Sequence, residues 1–147
     1  MSKTLNSFER QLCDIQGRLF ELALKKGYDS PSFIKTFMNS ETAASLDLQY
    51  DRLQWAGEEY ILVNLEEEIG GLKKAGTSYI NEAMFWAGYT YRYWHFLTGE
   101  SSKEIYRQAD AQIMDESYFG FHTLDVSMAV DNLKEIYKQK QEEADIK

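Results

Sequence analysis

Residues 78–97 read SYINEAMFWAGYTYRYWHFL, and this stretch decides the fold. Apolar and aromatic side chains would cover nearly every side of a helix with this sequence, which is typical of a helix buried in the middle of a protein. The stretch is at the short end for crossing a bilayer, and four polar residues interrupt it: Asn81, Glu82, Arg92 and His95. We therefore predict a central aromatic helix over about residues 78–98 rather than a membrane span.

The segments on both sides also show helical patterns. The chain contains a single proline, Pro31, and apolar residues recur at spacings of three and four. We expect further helices over residues 8–26, 33–38, 41–46, 48–69 and 126–137, with two short helices after Ser101 and Asp110. The predicted fold class is all-α, a single compact bundle of about five to seven helices around the central aromatic helix. No linker or repeat divides residues 1–147, and the charged tail 138–147 is expected to fray.

Local signals predict where these helices begin and end. Ser7, Ser30 and Asp125 stand where N-caps are expected, and Ser101 with Glu104 fits a capping box. The glycines at 27, 70–71 and 99 are expected to end helices. The aromatic segment Tyr118–His122 is predicted to be a loop.

Composition narrows the possible functions. The 147 residues include 24 acidic and 16 basic residues, a formal charge of −8, so nucleic-acid binding is not expected. Cys13 is the only cysteine. It excludes an intramolecular disulfide and fits a small buried residue in a reducing, cytoplasmic compartment. The polar first ten residues do not form a secretory signal.

Acidic residues are concentrated in residues 47–69, which contain seven acidic residues and one basic residue. The segment is either an ordinary solvated face or a docking surface for a basic partner protein. The candidate docking acids are Glu58, Glu59, Glu66, Glu67 and Glu68. The candidate aromatic anchors, which would have to be exposed, are Tyr28, Tyr50, Trp55 and Tyr118.

Motifs for catalysis or cofactor binding are missing from the sequence. The two histidines, His95 and His122, do not form a metal-binding pair on a helix, and Gly70-Gly71 does not form a phosphate loop. We predict no catalytic residue, no metal and no cofactor. Arg92 and His95 bear a partial likeness to the arginine–histidine pairs of small helical ribonucleases, although three residues apart is too close for that pattern.

Arg92 is the charged residue that most needs an explanation in the aromatic helix. A buried guanidinium must be paired or must stack on aromatic rings. We expect it to pair with an acid from the C-terminal half of the chain: Asp125, Glu104 or Asp110. The alternative is that Arg92 and His122 line a small anion pocket.

Three strings resemble a family of small uncharacterised helical proteins from Firmicutes and their mobile elements. They are Tyr91-Arg92-Tyr93-Trp94, then Ser101-Ser102-Lys103-Glu104-Ile105-Tyr106, then His122-Thr123-Leu124-Asp125 followed by Ala129-Val130. The resemblance covers about residues 80–133 and is weaker around residues 53–69. It implies an antitoxin-like or immunity-like role, and it carries over no catalytic residue.

Three functions remain open on this evidence. The first is a non-enzymatic module that neutralises or regulates another protein, such as a basic toxin or nuclease, through an acidic and aromatic surface. The second is a nuclease-like helical enzyme with a site around Arg92, His95 and His122. The third is a structural homo-oligomer, for example a homodimer that buries surplus apolar surface.

Overall fold

The structure, a computed structural model, describes residues 4–146. The all-α prediction is confirmed, with eight α-helices in this range rather than five to seven, and one short 3-10 turn, Arg52–Trp55. The helices are α1 (Ser7–Lys25), α2 (Ser30–Met38), α3 (Glu41–Asp47), α4 (Glu58–Ile69), α5 (Asn81–Thr98), α6 (Ser102–Gln108), α7 (Ala111–Phe121) and α8 (Val126–Ile146).

The aromatic helix α5 packs against α1 in the most extensive helix pair, and also against α6, α7 and α8. Gly88 permits the close approach of α1, because a Cβ atom there would lie 2.5 Å from the Gln16 carbonyl oxygen. The Gln16 side-chain amide uses the same gap to donate a hydrogen bond to the Gly88 carbonyl, at 3.0 Å. The core along this interface includes Phe20, Tyr91 and Trp94.

The prediction of one helix over residues 48–69 is wrong. The chain leaves the helical conformation after Asp47, forms the 3-10 turn, and starts α4 only at Glu58. Two side chains hold this break: the Gln54 amide donates to the carbonyls of Leu46 and Leu48, and the Asp51 carboxylate accepts from the Leu53 N–H at 2.8 Å. Side chains that satisfy backbone groups in this way compete with a continuous helix.

The predicted loop Tyr118–His122 is also wrong, because its residues up to Phe121 form the last turns of α7. Met114 and Tyr118, one helical turn apart, are both buried there and hold the turn against the core. At the C-terminus, α8 continues to Ile146 with exposed side chains from Lys138 onward. Fraying of this tail stays a prediction, and Lys147 lies outside the described residues.

The predicted helix boundaries are partly confirmed. Ser101 with Glu104 forms the capping box of α6, and Asp110 caps α7. Two N-caps are shifted by one residue: Asn6 rather than Ser7 caps α1, and Asp29 rather than Ser30 caps α2.

Asp29 also accepts a hydrogen bond from the Thr77 N–H at 2.7 Å. This contact fixes the extended segment before α5, which begins at Asn81 instead of residue 78.

Candidate functional site

A buried polar network links α5 to three other helices. Arg92, with 1% of its side chain exposed, donates to the Asp47 carboxylate at 2.6 Å, to Gln16 Oε1 at 2.9 Å and to Ser102 Oγ at 3.3 Å. The expectation that Arg92 pairs with Asp125, Glu104 or Asp110 is wrong, because the acid comes from the end of α3.

The Asp47 carboxylate also holds the start of α6. It accepts hydrogen bonds from the Ser102 backbone N–H and from the Ser102 hydroxyl, both at 2.8 Å. An anion at this position satisfies an N–H group that has no partner within the helix. One carboxylate thereby fixes α3, α5 and α6 to one another.

The three acids expected near Arg92 have local partners instead, and two of them, Glu104 and Asp110, cap their own helices. Glu104 belongs to the capping box with Ser101, and Asp110 accepts from the Ile113 N–H at 3.0 Å. Asp125 precedes α8 and accepts from the Ser127 hydroxyl at 3.2 Å. The caps formed by Glu104 and Asp110 are local in sequence, so the residue types predicted them, whereas the partner of Arg92 is distant in sequence and was missed. The N-cap role expected of Asp125 stays a prediction.

His95 joins the network at its solvent side. Its Nδ1 lies 2.6 Å from the Glu100 carbonyl oxygen and 3.7 Å from Asp47 Oδ1. Burial, followed by the nearby Arg92 charge, lowers the pKa of His95 below its usual 6.5. The ring is therefore neutral at neutral pH, and Nδ1 carries the proton because a carbonyl can only accept.

The structure does not bring His122 to this network. The exposed His122 ring stacks on Tyr118 at the end of α7, with 4.4 Å between ring centroids, and its Nδ1 lies 2.7 Å from the Tyr118 carbonyl oxygen. Both contacts are with Tyr118, and neither is with Arg92 or His95.

A cleft of about 730 Å³, here called the Trp55 cleft, opens beside His95. It lies between the first turn of α1, the connection from α3 to the 3-10 turn, and the end of α5. Its aromatic walls are Phe8, Tyr50, Trp55 and Phe96. Its polar and charged lining includes Asn6, Glu9, Asp47, Gln49, Gln54 and His95.

Trp55 stands between this cleft and a second one of about 450 Å³ that Tyr60 and Asn64 also line. The Trp55 side chain is 78% exposed, although its ring contacts Phe8 edge-on with 4.8 Å between centroids. Tyr50 is 86% exposed. Large aromatic side chains that remain this exposed are typical of interaction surfaces when they cluster.

The five candidate docking acids separate into two groups. Glu58 pairs with Arg18 at 3.3 Å, and Glu66 accepts from the Tyr28 hydroxyl. Glu68 accepts from the N–H groups of Glu41 and Thr42, at 2.8 and 2.9 Å, and so caps α3. Partial burial acts to raise the pKa of Glu68, but these hydrogen bonds and one from the Thr42 hydroxyl lower it overall.

Glu59 and Glu67 form the second group. Both are exposed, and the helical period places them on the outer side of α4 with the exposed Tyr60 and Val63. We call the combined exposed surface of Tyr50, Trp55, Glu59, Tyr60, Val63 and Glu67 the Trp55 face.

Two of the four candidate anchors are buried, which corrects the expectation that they are exposed. Tyr118 packs edge-on against Trp86, with 6.0 Å between ring centroids, and Tyr28 stacks on Phe33. Both residues lie near predicted helix ends or outside the predicted apolar stripes, and they were therefore expected at the surface. Their burial has no signal in the local sequence, since it depends on which helix packs alongside.

Within residues 4–146, no group of three or more histidine, cysteine or acidic side chains is arranged to hold a metal ion. Cys13 is buried as expected, and burial raises the pKa of its thiol to about 12. In the same range no helix has both the length and the apolar character needed to cross a membrane.

Comparison of the chain with protein-family models, curated proteins and solved structures finds no match.

Proposed function

We propose that this protein binds a partner protein through the Trp55 face and thereby neutralises or regulates it, in the manner of an antitoxin, immunity protein or inhibitor. The observation that carries the proposal is the exposure of Trp55 between two clefts, next to Tyr50 and Tyr60. Tryptophan and tyrosine contribute most often to the energy of protein interfaces. Apart from the edge contact of Trp55 with Phe8, most of the surface of these side chains lies outside the packing of the bundle.

Charge indicates the kind of partner. Glu59 and Glu67 border the aromatic residues, and the chain as a whole carries a formal charge of −8. An acidic rim around apolar anchors speeds encounter with a basic surface, such as the substrate-binding surface of a nuclease. The same charge disfavours nucleic acid as the ligand.

The other two functions have less support from the geometry. An enzyme site built on Arg92, His95 and His122 would need the three side chains together, but Arg92 is buried and His122 contacts Tyr118. A homodimer formed through the Trp55 face would bring the Glu59 and Glu67 side chains of both copies close together, which costs like-charge repulsion.

Quantitative affinity capture from the native host tests the proposal. The bait is the full chain, and Trp55→Ala is compared with Phe119→Ala, because Phe119 on α7 is also 78% exposed. We expect a basic protein that the wild type and Phe119→Ala retain and Trp55→Ala loses. Equal retention by both variants, or a bait that recovers only itself, would overturn the proposal.

A further inference from the structure

We infer that the Trp55 cleft binds a small, uncharged aromatic molecule that carries a hydrogen-bond donor, of the fused-ring class to which indole belongs. The inference goes beyond the proposed function, because this ligand is a free molecule rather than a protein. It follows from the depth of the cleft, from its aromatic walls and from a buried side chain that presents an unused acceptor to it.

The cleft extends from the surface down to the core. Its volume of about 730 Å³ lies in the range of small-molecule pockets. Trp55, 78% exposed, stands at the opening, whereas Leu12 on the same lining is only 4% exposed. A smaller cavity of about 60 Å³ shares both of these side chains and reaches Ile15, which is 7% exposed. A ligand in the cleft would therefore contact buried side chains as well as surface ones.

The walls of the cleft favour a flat ring. Four aromatic side chains line it: Phe8, Tyr50, Trp55 and Phe96. Phe8 and Trp55 already form an edge contact, with 4.8 Å between their ring centroids. Aromatic rings attract one another in edge-to-face and offset stacked arrangements, in addition to the area that they bury. An aromatic ligand gains these contacts, whereas an aliphatic ligand of the same size does not.

Gln54 supplies the polar contact. It is 6% exposed, and its Nε2 donates to the carbonyls of Leu46 and Leu48, which fixes the orientation of the amide group. Its Oε1 has no hydrogen-bond partner among residues 4–146. In that range the unpartnered side-chain atom that is fully enclosed is Thr90 Oγ1, so Gln54 Oε1 is open to the cleft that Gln54 lines. An amide oxygen can only accept, so the ligand must provide a donor.

The charged groups on the lining already have partners. Asp47 pairs with Arg92 at 2.6 Å, and Glu9 accepts from the Asn6 N–H at 2.9 Å within the capping box of α1. His95 is neutral at neutral pH because burial lowers its pKa. A charged ligand would lose hydration without meeting an unpaired counter-charge among these groups, whereas an uncharged ring loses little.

A matched pair of ligands tests the inference. The probes are indole and benzofuran, which share one shape, but benzofuran has an ether oxygen in place of the N–H donor. The readouts are the Trp55 side-chain N–H signal and the Leu12 methyl signals in NMR spectra of the isotope-labelled full chain. We expect saturable shifts with indole, and about three- to tenfold weaker binding of benzofuran because it cannot donate a hydrogen bond to Gln54.

One variant localises the effect, and a second serves as its control. Trp55→Leu removes a wall of the cleft and should weaken the binding of indole. Phe119→Leu should leave binding unchanged, because Phe119 is equally exposed but lies on α7. Shifts that do not saturate within the solubility of indole, equal binding of the two probes, or binding that survives Trp55→Leu would overturn the inference.

A peptide distinguishes a free ligand from a side chain of a protein partner. Free indole should bind more tightly than acetyl-Gly-Trp-Gly-amide, because the peptide backbone hinders entry to the deep part of the cleft. Tighter binding of the peptide would overturn the small molecule as the occupant. The affinity capture is decided separately, because it measures the retention of a protein and uses no small molecule.

Discussion

Arg92 on α5 and Asp47 at the end of α3 form an ion pair with 2.6 Å between Nη1 and Oδ1, and the arginine is almost completely buried. The pair joins residues 45 positions apart in sequence. Asp47 lines the Trp55 cleft and the buried Arg92 lies behind it, so the shape of the cleft depends on this pair.

Removal of the Arg92 charge should destabilise the fold strongly. Arg92→Met leaves the Asp47 carboxylate without its cation, and the loss of one partner of a buried pair costs about 3–5 kcal/mol. Asp47→Asn should be comparably damaging, because it leaves the buried Arg92 guanidinium without its anion. Urea denaturation measures both changes, and an unchanged midpoint for Arg92→Met would contradict the structural role of the pair.

The adjacent residues Glu67 and Glu68 at the end of α4 should contribute differently to the stability of the fold. Glu68→Ala removes the cap of α3 and should lower the free energy of unfolding by about 0.5–2 kcal/mol. Glu67→Ala is the matched control, because Glu67 is exposed on the outer side of the same helix, and it should change stability by less than about 0.5 kcal/mol. Similar losses for both variants in thermal or urea denaturation would show that Glu68 does not cap α3.

Acid should weaken the contact between the end of α5 and α8. Glu100 accepts hydrogen bonds from Lys134 Nζ at 2.7 Å and Trp94 Nε1 at 2.9 Å. Partial burial acts to raise the pKa of Glu100, but the hydrogen bonds, with Lys134 first, lower it from 4.5 to about 2.

A carboxyl group whose pKa is lower in the folded state stabilises the fold above its unfolded pKa. The contribution of Glu100 is therefore complete above about pH 4.5 and is lost as the pH falls toward about 2. Glu100→Gln should reduce stability at pH 7 and flatten its pH dependence in this window. Parallel curves for variant and wild type, measured by urea denaturation between pH 2 and 7, would contradict this role of Glu100.

Alanine substitutions at two helical glycines, Gly88 and Gly120, should have opposite effects on stability. Gly88→Ala places a Cβ atom 2.5 Å from the Gln16 backbone oxygen, so α1 must move away from α5 at a cost of about 1–3 kcal/mol. Gly120→Ala in α7 meets no atom within 4 Å. It should be neutral or stabilise the fold by up to about 1 kcal/mol. A shared outcome for the two variants in thermal denaturation would indicate that the close approach of α1 and α5 is not tight.

The long helices could be predicted because their evidence is local. The spacing of apolar residues predicts α1 and α8, and the capping box at Ser101 is a pattern of four residues. The aromatic stretch predicts α5 in the same way, apart from its first turn. Residues 78–80 were predicted to be helical but are not. The Thr77 N–H donates a hydrogen bond to Asp29, 48 positions earlier in the chain, and this contact fixes the extended segment before α5.

The parts that the sequence did not predict depend on distant partners. Nothing near Arg92 indicates Asp47, and nothing near Glu66 or Glu68 distinguishes them from the exposed Glu67. Residues 47–69 form an acidic segment, but three of its five glutamates, Glu58, Glu66 and Glu68, have structural partners. Trp55 and Tyr50 were predicted to be exposed and are, whereas the cleft between them is formed by α1 and α5 and has no local signal.

The most direct test of partner binding through the Trp55 face is site-specific photo-cross-linking in the native host. The photoreactive residue benzoylphenylalanine replaces Trp55 or Tyr60 in turn, and Phe119 is the control position because its exposure equals that of Trp55. We predict that positions 55 and 60 cross-link to the same basic protein and that position 119 does not. Cross-links at 119 alone, or at none of the three positions, would contradict the proposed function.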